Sequence, residues 1–241
     1  MDSQFSRSEL MFGSDGLNRL KNAKVAVFGI GGVGGYVVEA LVRSGLGSID
    51  IIDNDTVALS NLNRQIIATH STIGKYKVDV MEERIKDINP DCKVKVYRCF
   101  YLPENKNEFD FTEYDYVVDA IDTVSGKISL VVQANEANTP IISSMGAGNK
   151  MHPELFEVDD IYNTSICPLA RVMRRELKKR NIKNLKVVYS KEEPVKQQSE
   201  ALKDENEKEP PKRKIAPGSN AFVPSVVGLI IASQVIKDLI E

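Results

Sequence analysis

A short run of apolar residues that ends in a cluster of glycines constrains this chain more than any other feature. Residues 24–29 read Lys-Val-Ala-Val-Phe-Gly, and residues 36–44 carry apolar side chains at helical spacing. The glycines between them are Gly29, Gly31, Gly32 and Gly34. A strand, a glycine-rich turn and a helix in this order let backbone N–H groups approach a phosphate at the helix N-terminus. The sequence therefore predicts a nucleotide site near its start.

The alternation of strands and helices continues to about residue 150. The pattern predicts strands at residues 48–53, 93–97, 116–121 and 140–144, and helices at residues 77–89 and 127–138. Alternation of this kind is typical of a mostly parallel sheet with helices on both faces. We therefore predict an α/β fold, a Rossmann-like doubly wound sheet, with residues 1–150 as its nucleotide-binding part.

The pattern changes after residue 150. It predicts a basic helix at 169–180, a strand at 186–189 and an apolar helix at 223–240. Residues 191–214 are rich in charge and almost free of apolar side chains, so they predict a mobile loop. We interpret residues 151–241 as a C-terminal extension of the same domain that completes a dimer or a substrate cleft.

Charge and cysteine content exclude several classes of protein. Lys and Arg number 32 against 34 Asp and Glu, so the net charge of −2 gives no overall attraction to nucleic acid or anionic lipid. The 3 cysteines form no CxxC pair, which excludes a four-cysteine zinc site and a disulfide framework.

The apolar stretch at 223–236 is shorter than a bilayer span, and the first residues lack a secretion signal. We predict a cytoplasmic protein without a membrane partner.

Charged side chains beyond the second predicted strand distinguish two kinds of nucleotide. Asp53 ends that strand, where a carboxylate meets a ribose hydroxyl in dinucleotide folds, so an NAD-dependent oxidoreductase is one hypothesis. Arg64 and Lys77 favour a triphosphate instead, because a guanidinium group forks onto phosphate oxygens and an ammonium group binds them as a point charge. Asp55 or Asp122 is the candidate for the magnesium that accompanies the phosphates.

Together these motifs resemble the adenylation domain of the ubiquitin-activating superfamily, which includes the bacterial ThiF and MoeB proteins. The motifs are the glycine turn and residues 53–55, 60–65, 74–77 and 119–122. The resemblance implies that ATP is bound by Gly29, Gly31, Gly32, Gly34, Asp53, Asp55, Asn61, Arg64, Gln65, Lys77 and Asp122. It also implies that Asp122 holds Mg²⁺ beside the α-phosphate, which a substrate carboxylate attacks to give an acyl-adenylate and pyrophosphate.

The resemblance further implies catalytic roles for Asp122, Arg64, Lys77 and Arg7. In this superfamily an arginine near the N-terminus of one subunit reaches the partner's ATP, and Arg7 stands at that position. A homodimer is therefore expected. Many relatives carry an arginine where this sequence has Lys127, so the resemblance carries a phosphate contact over to Lys127.

Within the superfamily the sequence is most similar to the tRNA threonylcarbamoyladenosine dehydratases, through motifs at residues 61–65, 88–90, 146–148 and 189–194. The resemblance implies ATP-dependent cyclisation of a modified adenosine beside the anticodon, with release of AMP and pyrophosphate. One alternative keeps the adenylation step but acts on the C-terminal glycine of a ubiquitin-like sulfur carrier, with a sulfur-transfer or carrier protein as partner. A scaffold that binds ATP without releasing pyrophosphate is a third hypothesis.

A tRNA substrate requires positive surface that the net charge does not provide. The predicted basic helix supplies it through Arg171, Arg174, Arg175, Lys178 and Lys179. A second basic cluster lies at residues 212–214. A monovalent cation, Na⁺ or K⁺, is a further candidate cofactor.

Overall fold

The computed structural model describes residues 3–196 and 217–241. Within these ranges one sheet contains β1 (Lys24–Phe28), β2 (Ser48–Ile52), β3 (Lys93–Tyr97), β4 (Tyr116–Asp119), β5 (Ile141–Ser144), β6 (Phe156–Asp160) and β7 (Lys186–Ser190). The strand order is β3-β2-β1-β4-β5-β7-β6, and only β6, which pairs with β7, is antiparallel to its neighbour. The prediction of a mostly parallel α/β sheet is confirmed.

Helices cover both faces of this sheet. The described residues form α1 (Ser6–Asn22), α2 (Gly34–Arg43), α3 (Lys77–Ile88), α4 (Val124–Ala137), α5 (Pro168–Lys179) and α6 (Val223–Ile240). On one face α2 contacts both α3 and α6, and α1 packs against α6. On the other face α4 packs against α5 and against short 3-10 turns at Pro103–Glu108 and Phe111–Glu113. The doubly wound arrangement is therefore confirmed.

The central strand β1 shows why the sheet is buried on both faces. Val25 and Val27 point into the core shared with α2 and α6, whereas Phe28 joins an aromatic cluster on the opposite face. The Phe28 ring lies edge-on to Tyr101, with ring centroids 5.0 Å apart. A strand covered on both faces needs apolar side chains at successive positions, and the sequence of β1 supplies them.

The direction of strand progression reverses between β1 and β4, and this reversal creates a crevice. The chain places β2 and β3 on one side of β1 and the later strands on the other. In an open parallel sheet, ligands bind where the carboxyl ends of the strands face such a reversal. Gly29 follows β1, Asp53 follows β2 and Ala120 follows β4, so all three residues lie at this edge.

The residues beyond 150 belong to the same sheet. The predicted basic helix corresponds to α5, the predicted strand to β7 and the apolar helix to α6. Two elements were not predicted: α1 and the antiparallel edge strand β6. Most of the predicted loop and the basic cluster at 212–214 lie outside the described residues.

Helix α6 is the one candidate membrane span among the described residues, judged by length and composition alone. Its buried face, which includes Val227, Ile231 and Val235, packs into the core formed with α2. Core helices commonly pass the same test, so the finding is weak evidence for a membrane span.

Candidate active site

A cleft of about 250 Å³ opens at the carboxyl ends of β1, β2 and β4. The predicted residues that line it are Gly29, Gly31, Asp53, Asp55, Asn61, Arg64, Gln65, Lys77 and Asp122. Gly32 and Gly34 lie in the same turn without lining the cleft, and Arg7 is exposed on α1 outside it. The structure thus brings together side chains that are up to 93 positions apart in the chain (residues 29 to 122).

The glycines of the turn serve two different purposes. Gly29 has a positive φ of 91°, and a Cβ at this position would lie 2.7 Å from the carbonyl oxygen of Ala120. A Cβ on Gly34 would overlap the carbonyl oxygen of Gly29. Around Gly31 the nearest atom to such a Cβ is Nε2 of Gln65, at 3.9 Å. Packing therefore requires glycine at positions 29 and 34, whereas Gly31 keeps open the space that a ligand needs.

The Asp53 carboxylate joins the ends of two strands. Its Oδ2 accepts a hydrogen bond from the backbone N–H of Ile30 at 2.7 Å, and its Oδ1 accepts one from Asp55 at 2.8 Å. Burial raises the pKa of Asp53, and the nearby Lys77 charge opposes that rise. Each carboxylate oxygen has a second lone pair, so the fixed carboxylate can still accept hydrogen bonds from a ribose.

Two cations border the same cleft. Lys77 begins α3, and its buried ammonium group lies 2.7 Å from Oδ2 of Asp55 and 4.0 Å from Oδ1 of Asp53. The Arg64 guanidinium group is half-buried and donates through Nη1 to the carbonyl oxygen of Ser60, at 2.9 Å. Both side chains are held by local contacts while their other N–H groups remain for phosphate oxygens.

Gln65 carries an unpaired polar atom in the cleft. Its side chain is 6% exposed, and its Oε1 has no hydrogen-bond partner among the described residues. Leaving such an atom unpaired costs about 1–3 kcal/mol, which a polar ligand in the cleft would offset. The residues present therefore fit a nucleotide.

Asp122 is an exposed acid of the cleft. It lies between β4 and α4 and forms no ion pair with the described residues. No group of three or more His, Cys, Asp or Glu side chains suited to a metal occurs in the described ranges. Mg²⁺ commonly needs only one or two carboxylates when phosphate oxygens and water complete its shell, so Asp122 fits the magnesium that accompanies ATP.

Lys127 does not reach this cleft. Its ammonium group is 1% exposed beneath the β4–α4 loop, where it lies 3.0 Å from Oδ1 of Asp119 and donates to the carbonyl oxygen of Ser144 at 2.7 Å. The structure therefore replaces the expected phosphate contact with a buried ion pair. The reason is the direction of the side chain, which α4 turns toward the sheet.

Several residues that line the cleft belong to none of the sequence motifs and were not predicted. Phe100, Tyr101 and Thr123 line the cleft because they follow the ends of β3 and β4. The rule that ligands meet the carboxyl ends of parallel strands would have found them. Burial raises the pKa of Tyr101 to about 12, so the residue contributes a neutral hydroxyl and an aromatic ring.

The predicted tRNA-binding side chains are spread around α5. Arg171, Arg175, Lys178 and Lys179 are exposed, whereas Arg174 is half-buried and donates to the carbonyl oxygen of Thr164 at 2.8 Å. Glu176 lies among the cations, and hydrogen bonds from Lys179 and Arg180 lower its pKa to about 2. The helix therefore presents a positive surface with one internal counter-charge.

Comparison with known proteins places this cleft in a family. The model of the ThiF family matches residues 5–241. The chain belongs to the ThiF family. The matched residues include both the glycine turn and the C-terminal extension, so the similarity to the family extends beyond the nucleotide-binding part.

Within the ThiF family, this chain is similar to a curated protein and to solved structures of tRNA threonylcarbamoyladenosine dehydratases. It is 46% identical, over 241 residues, to the tRNA threonylcarbamoyladenosine dehydratase of Bacillus subtilis (strain 168), covering 99% of this chain and 95% of that protein. It also superposes on the crystal structure of the E. coli enzyme TcdA in complex with AMP, with a TM-score of 0.87, 33% identity and coverage of 98% and 93% of the two chains. A complex of the same E. coli enzyme with ATP gives a TM-score of 0.86 at 32% identity, with the same coverage.

Proposed function

We propose that this protein catalyses the ATP-dependent dehydration of N6-threonylcarbamoyladenosine in tRNA. One observation carries the proposal: a cleft lined by Gly31, Arg64, Lys77 and Asp122 lies in a chain that is similar over nearly its whole length to dehydratases of this specificity. The solved relatives hold AMP or ATP, which fits the unpaired polar atom and open space beside Gly31. The protein is thus an adenylate-forming enzyme, a ligase that acts on a carboxylate.

The reaction requires activation because a carboxylate oxygen is a poor leaving group. An oxygen of the threonyl carboxylate attacks the α-phosphorus of ATP, a P–O bond forms, and pyrophosphate leaves. The carbamoyl group then bonds to the acyl carbon while the bond from that carbon to AMP breaks and a proton is released to solvent. The balance over both steps is loss of one water from the nucleoside and hydrolysis of ATP to AMP and pyrophosphate.

The side chains of the cleft supply positioning and charge rather than a nucleophile. Asp53 orients the ribose, while Arg64 and Lys77 bind the phosphates on which negative charge increases as pyrophosphate departs. Fixed charges in a cleft stabilise such a transition state more than mobile solvent does. Asp122 would hold Mg²⁺, which neutralises phosphate charge when it is bound.

We further propose a homodimer in the cytoplasm, in which Arg7 completes the partner's cleft. Arg7 lies in the first turn of α1 and outside the cleft of its own chain, so a direct role needs another subunit. The same helix exposes Leu10 and Met11, which are 87% and 81% exposed. Exposed apolar side chains next to a functional arginine favour a protein interface. A monovalent cation near the site stays a prediction.

A pyrophosphate assay tests the proposed reaction against its alternatives. Incubation with ATP and tRNA that carries threonylcarbamoyladenosine should release AMP and pyrophosphate, and nucleoside mass analysis should show the loss of one water. A ubiquitin-like sulfur carrier in place of tRNA should give no release of AMP or pyrophosphate. Release with the carrier alone would favour the sulfur-transfer hypothesis. A change in nicotinamide absorbance without AMP would favour the oxidoreductase.

Removal of charge from α5 tests the tRNA-binding surface. The triple variant Arg174→Gln, Arg175→Gln and Lys178→Gln should weaken tRNA binding and flatten its salt dependence, while the Kd for ATP stays unchanged. Unchanged tRNA binding would remove α5 from the proposed interface, whereas equal losses of tRNA and ATP binding would indicate misfolding of the variant.

A further inference from the structure

A second concave surface lies beside the cleft. It is a groove of about 320 Å³ lined by α4, by Arg180 directly after α5, and by the 3-10 turn Pro103–Glu108. Two cations border it, Lys106 and Arg180. Ser125 and Ser129 add hydroxyl groups, and aliphatic side chains of α4 form its floor through Ile128 and Val132. No acidic side chain lines it.

The groove adjoins the candidate active site. Tyr101 lines the cleft, and its hydroxyl group lies 3.1 Å from Oγ of Ser129, which lines the groove. Ser125 stands three positions after Asp122, at the start of α4. A polymer that places one reacting unit beside Asp122 would therefore lay its neighbouring units in the groove.

The cations of the groove remain available to a ligand. Arg180 directly follows α5, and Nη1 of its guanidinium group donates to the carbonyl oxygen of Glu176 at 2.7 Å and to Oε2 of Glu176 at 3.0 Å. These contacts fix the guanidinium plane while Nε and Nη2 make no hydrogen bond to the described residues. Arg180 is thus ion-paired with Glu176, at 3.0 Å, whereas Lys106 forms no ion pair with the described residues. The acids Glu104 and Glu108 of the same turn are exposed without lining the groove.

We propose that this groove binds the single-stranded RNA that flanks the reacting adenosine. Lys106 and Arg180 bind phosphates, Ser125 and Ser129 hydrogen-bond sugar hydroxyls, and the aliphatic floor contacts unstacked bases. Cations along a groove with an apolar floor and hydroxyl groups complement RNA in charge and chemistry. The proposal rests on the proposed function for the identity of the substrate. It extends the tRNA interface from the exposed face of α5 to the edge of the cleft.

A pair of double variants tests the groove. The groove variant is Lys106→Gln with Arg180→Gln. The control variant is Lys21→Gln with Lys93→Gln, which removes the same charge from exposed lysines that line a concavity elsewhere on the molecule. The probe is a stem-loop RNA with threonylcarbamoyladenosine in its loop, and its Kd is measured by fluorescence anisotropy over a series of salt concentrations.

We expect the groove variant to bind the RNA roughly tenfold more weakly at low salt, with the slope of log Kd against log salt reduced by about 1.4 for two lost contacts. The control variant should behave as the wild type, and the Kd for ATP should stay unchanged in both. Equal effects in the two variants, or none in the groove variant, would overturn the proposal. Weaker binding of a carrier protein with unchanged RNA binding would also overturn it.

The proposed function has a separate test. If the wild type fails to release pyrophosphate with modified tRNA, the proposed function is wrong, and the binding data still show whether the groove binds RNA.

Discussion

At the scale of single residues, Asp122 differs from every other acid of the cleft because no basic side chain of the described residues neutralises it. Asp53 and Asp55 both lie near Lys77, which neutralises part of their combined charge. An exposed carboxylate at the edge of a phosphate site is free to receive a cation. This difference favours Asp122 as the residue that would hold magnesium.

Asp122→Ala should lower the rate of AMP formation about 10²–10³-fold, since a lost electrostatic contact to the transition state has that magnitude. Its thermal stability should match the wild type because the side chain is exposed. Steady-state AMP release with modified tRNA is the measurement, and Asp91→Ala, on the exposed turn before β3, is the control. Turnover within a few-fold of the wild type would remove Asp122 from the reaction.

Lys127 and Asp119 form the opposite case, an ion pair that is buried from solvent at 1% and 0% exposure. Lys127→Met should lower the free energy of unfolding by about 3–5 kcal/mol, because Asp119 would be left as an unpaired buried charge. Adding Asp119→Leu should recover part of that loss. Urea denaturation of the single and double variants measures both effects, and an unchanged midpoint in Lys127→Met would show that the pair contributes nothing.

At the scale of elements, Glu39 fastens α2 to α3. The carboxylate accepts from Nε of Arg84 at 2.6 Å across the two helices and from Nε of Arg43 at 2.7 Å within α2. Burial alone would raise the pKa of Glu39, but the hydrogen bonds from Arg84 and Arg43 outweigh it and hold the pKa below its usual range. A lowered pKa means that folding stabilises the ionised form.

Glu39→Gln should therefore lower the free energy of unfolding by about 1–3 kcal/mol at neutral pH. The stabilisation by Glu39 is fully present above the unfolded pKa of about 4.3 and is lost as the pH falls through the lowered folded pKa. The wild type and the variant should thus converge in strong acid. Urea midpoints at pH 7 and pH 3 check this, and a constant difference between the two proteins would contradict it.

The elements that the sequence predicts are those whose apolar pattern matches their burial. The pattern of β1 and of α3 follows from contacts with the core, so the strands of the parallel sheet and their helices were predicted. In α1 the apolar side chains of Leu10 and Met11 are exposed, and Gly13 interrupts the helix with a φ of 73°, so the apolar pattern of α1 does not match the core of one chain. Strand β6 contains three acidic residues and depends on pairing with β7, a long-range contact that local pattern does not encode.

The candidate site, like the fold, was predicted from the sequence only in part. The Gly29 turn and Asp53 follow from local sequence, because a strand end and a glycine determine where they lie. The burial of Lys127 and the contact of the Tyr101 hydroxyl with Ser129 depend on how α4 packs on the sheet, and motif spacing does not report that packing. Sequence thus predicts which residues reach the edge of the sheet better than it predicts the direction of each side chain.

At the scale of the whole molecule, exposed apolar side chains on two packed helices favour the proposed homodimer. Leu10 and Met11 on α1 are accompanied by Phe222 and Leu229 on or beside α6, at 44% and 47% exposure, and α1 packs against α6. A soluble monomer rarely leaves large apolar groups of neighbouring helices in water. An isologous dimer would cover such a surface on both copies at once.

Mixing two inactive variants tests whether the cleft is shared between subunits. Arg7→Ala and Asp122→Ala should each be nearly inactive alone. If Arg7 acts across the dimer, a heterodimer of the two variants contains one cleft with an intact Asp122 and an intact Arg7 from the partner. Random pairing in an equal mixture then restores about a quarter of wild-type AMP formation. If Arg7 instead acts within its own chain, every cleft in the mixture lacks one of the two groups, and co-refolded variants stay as inactive as they are alone.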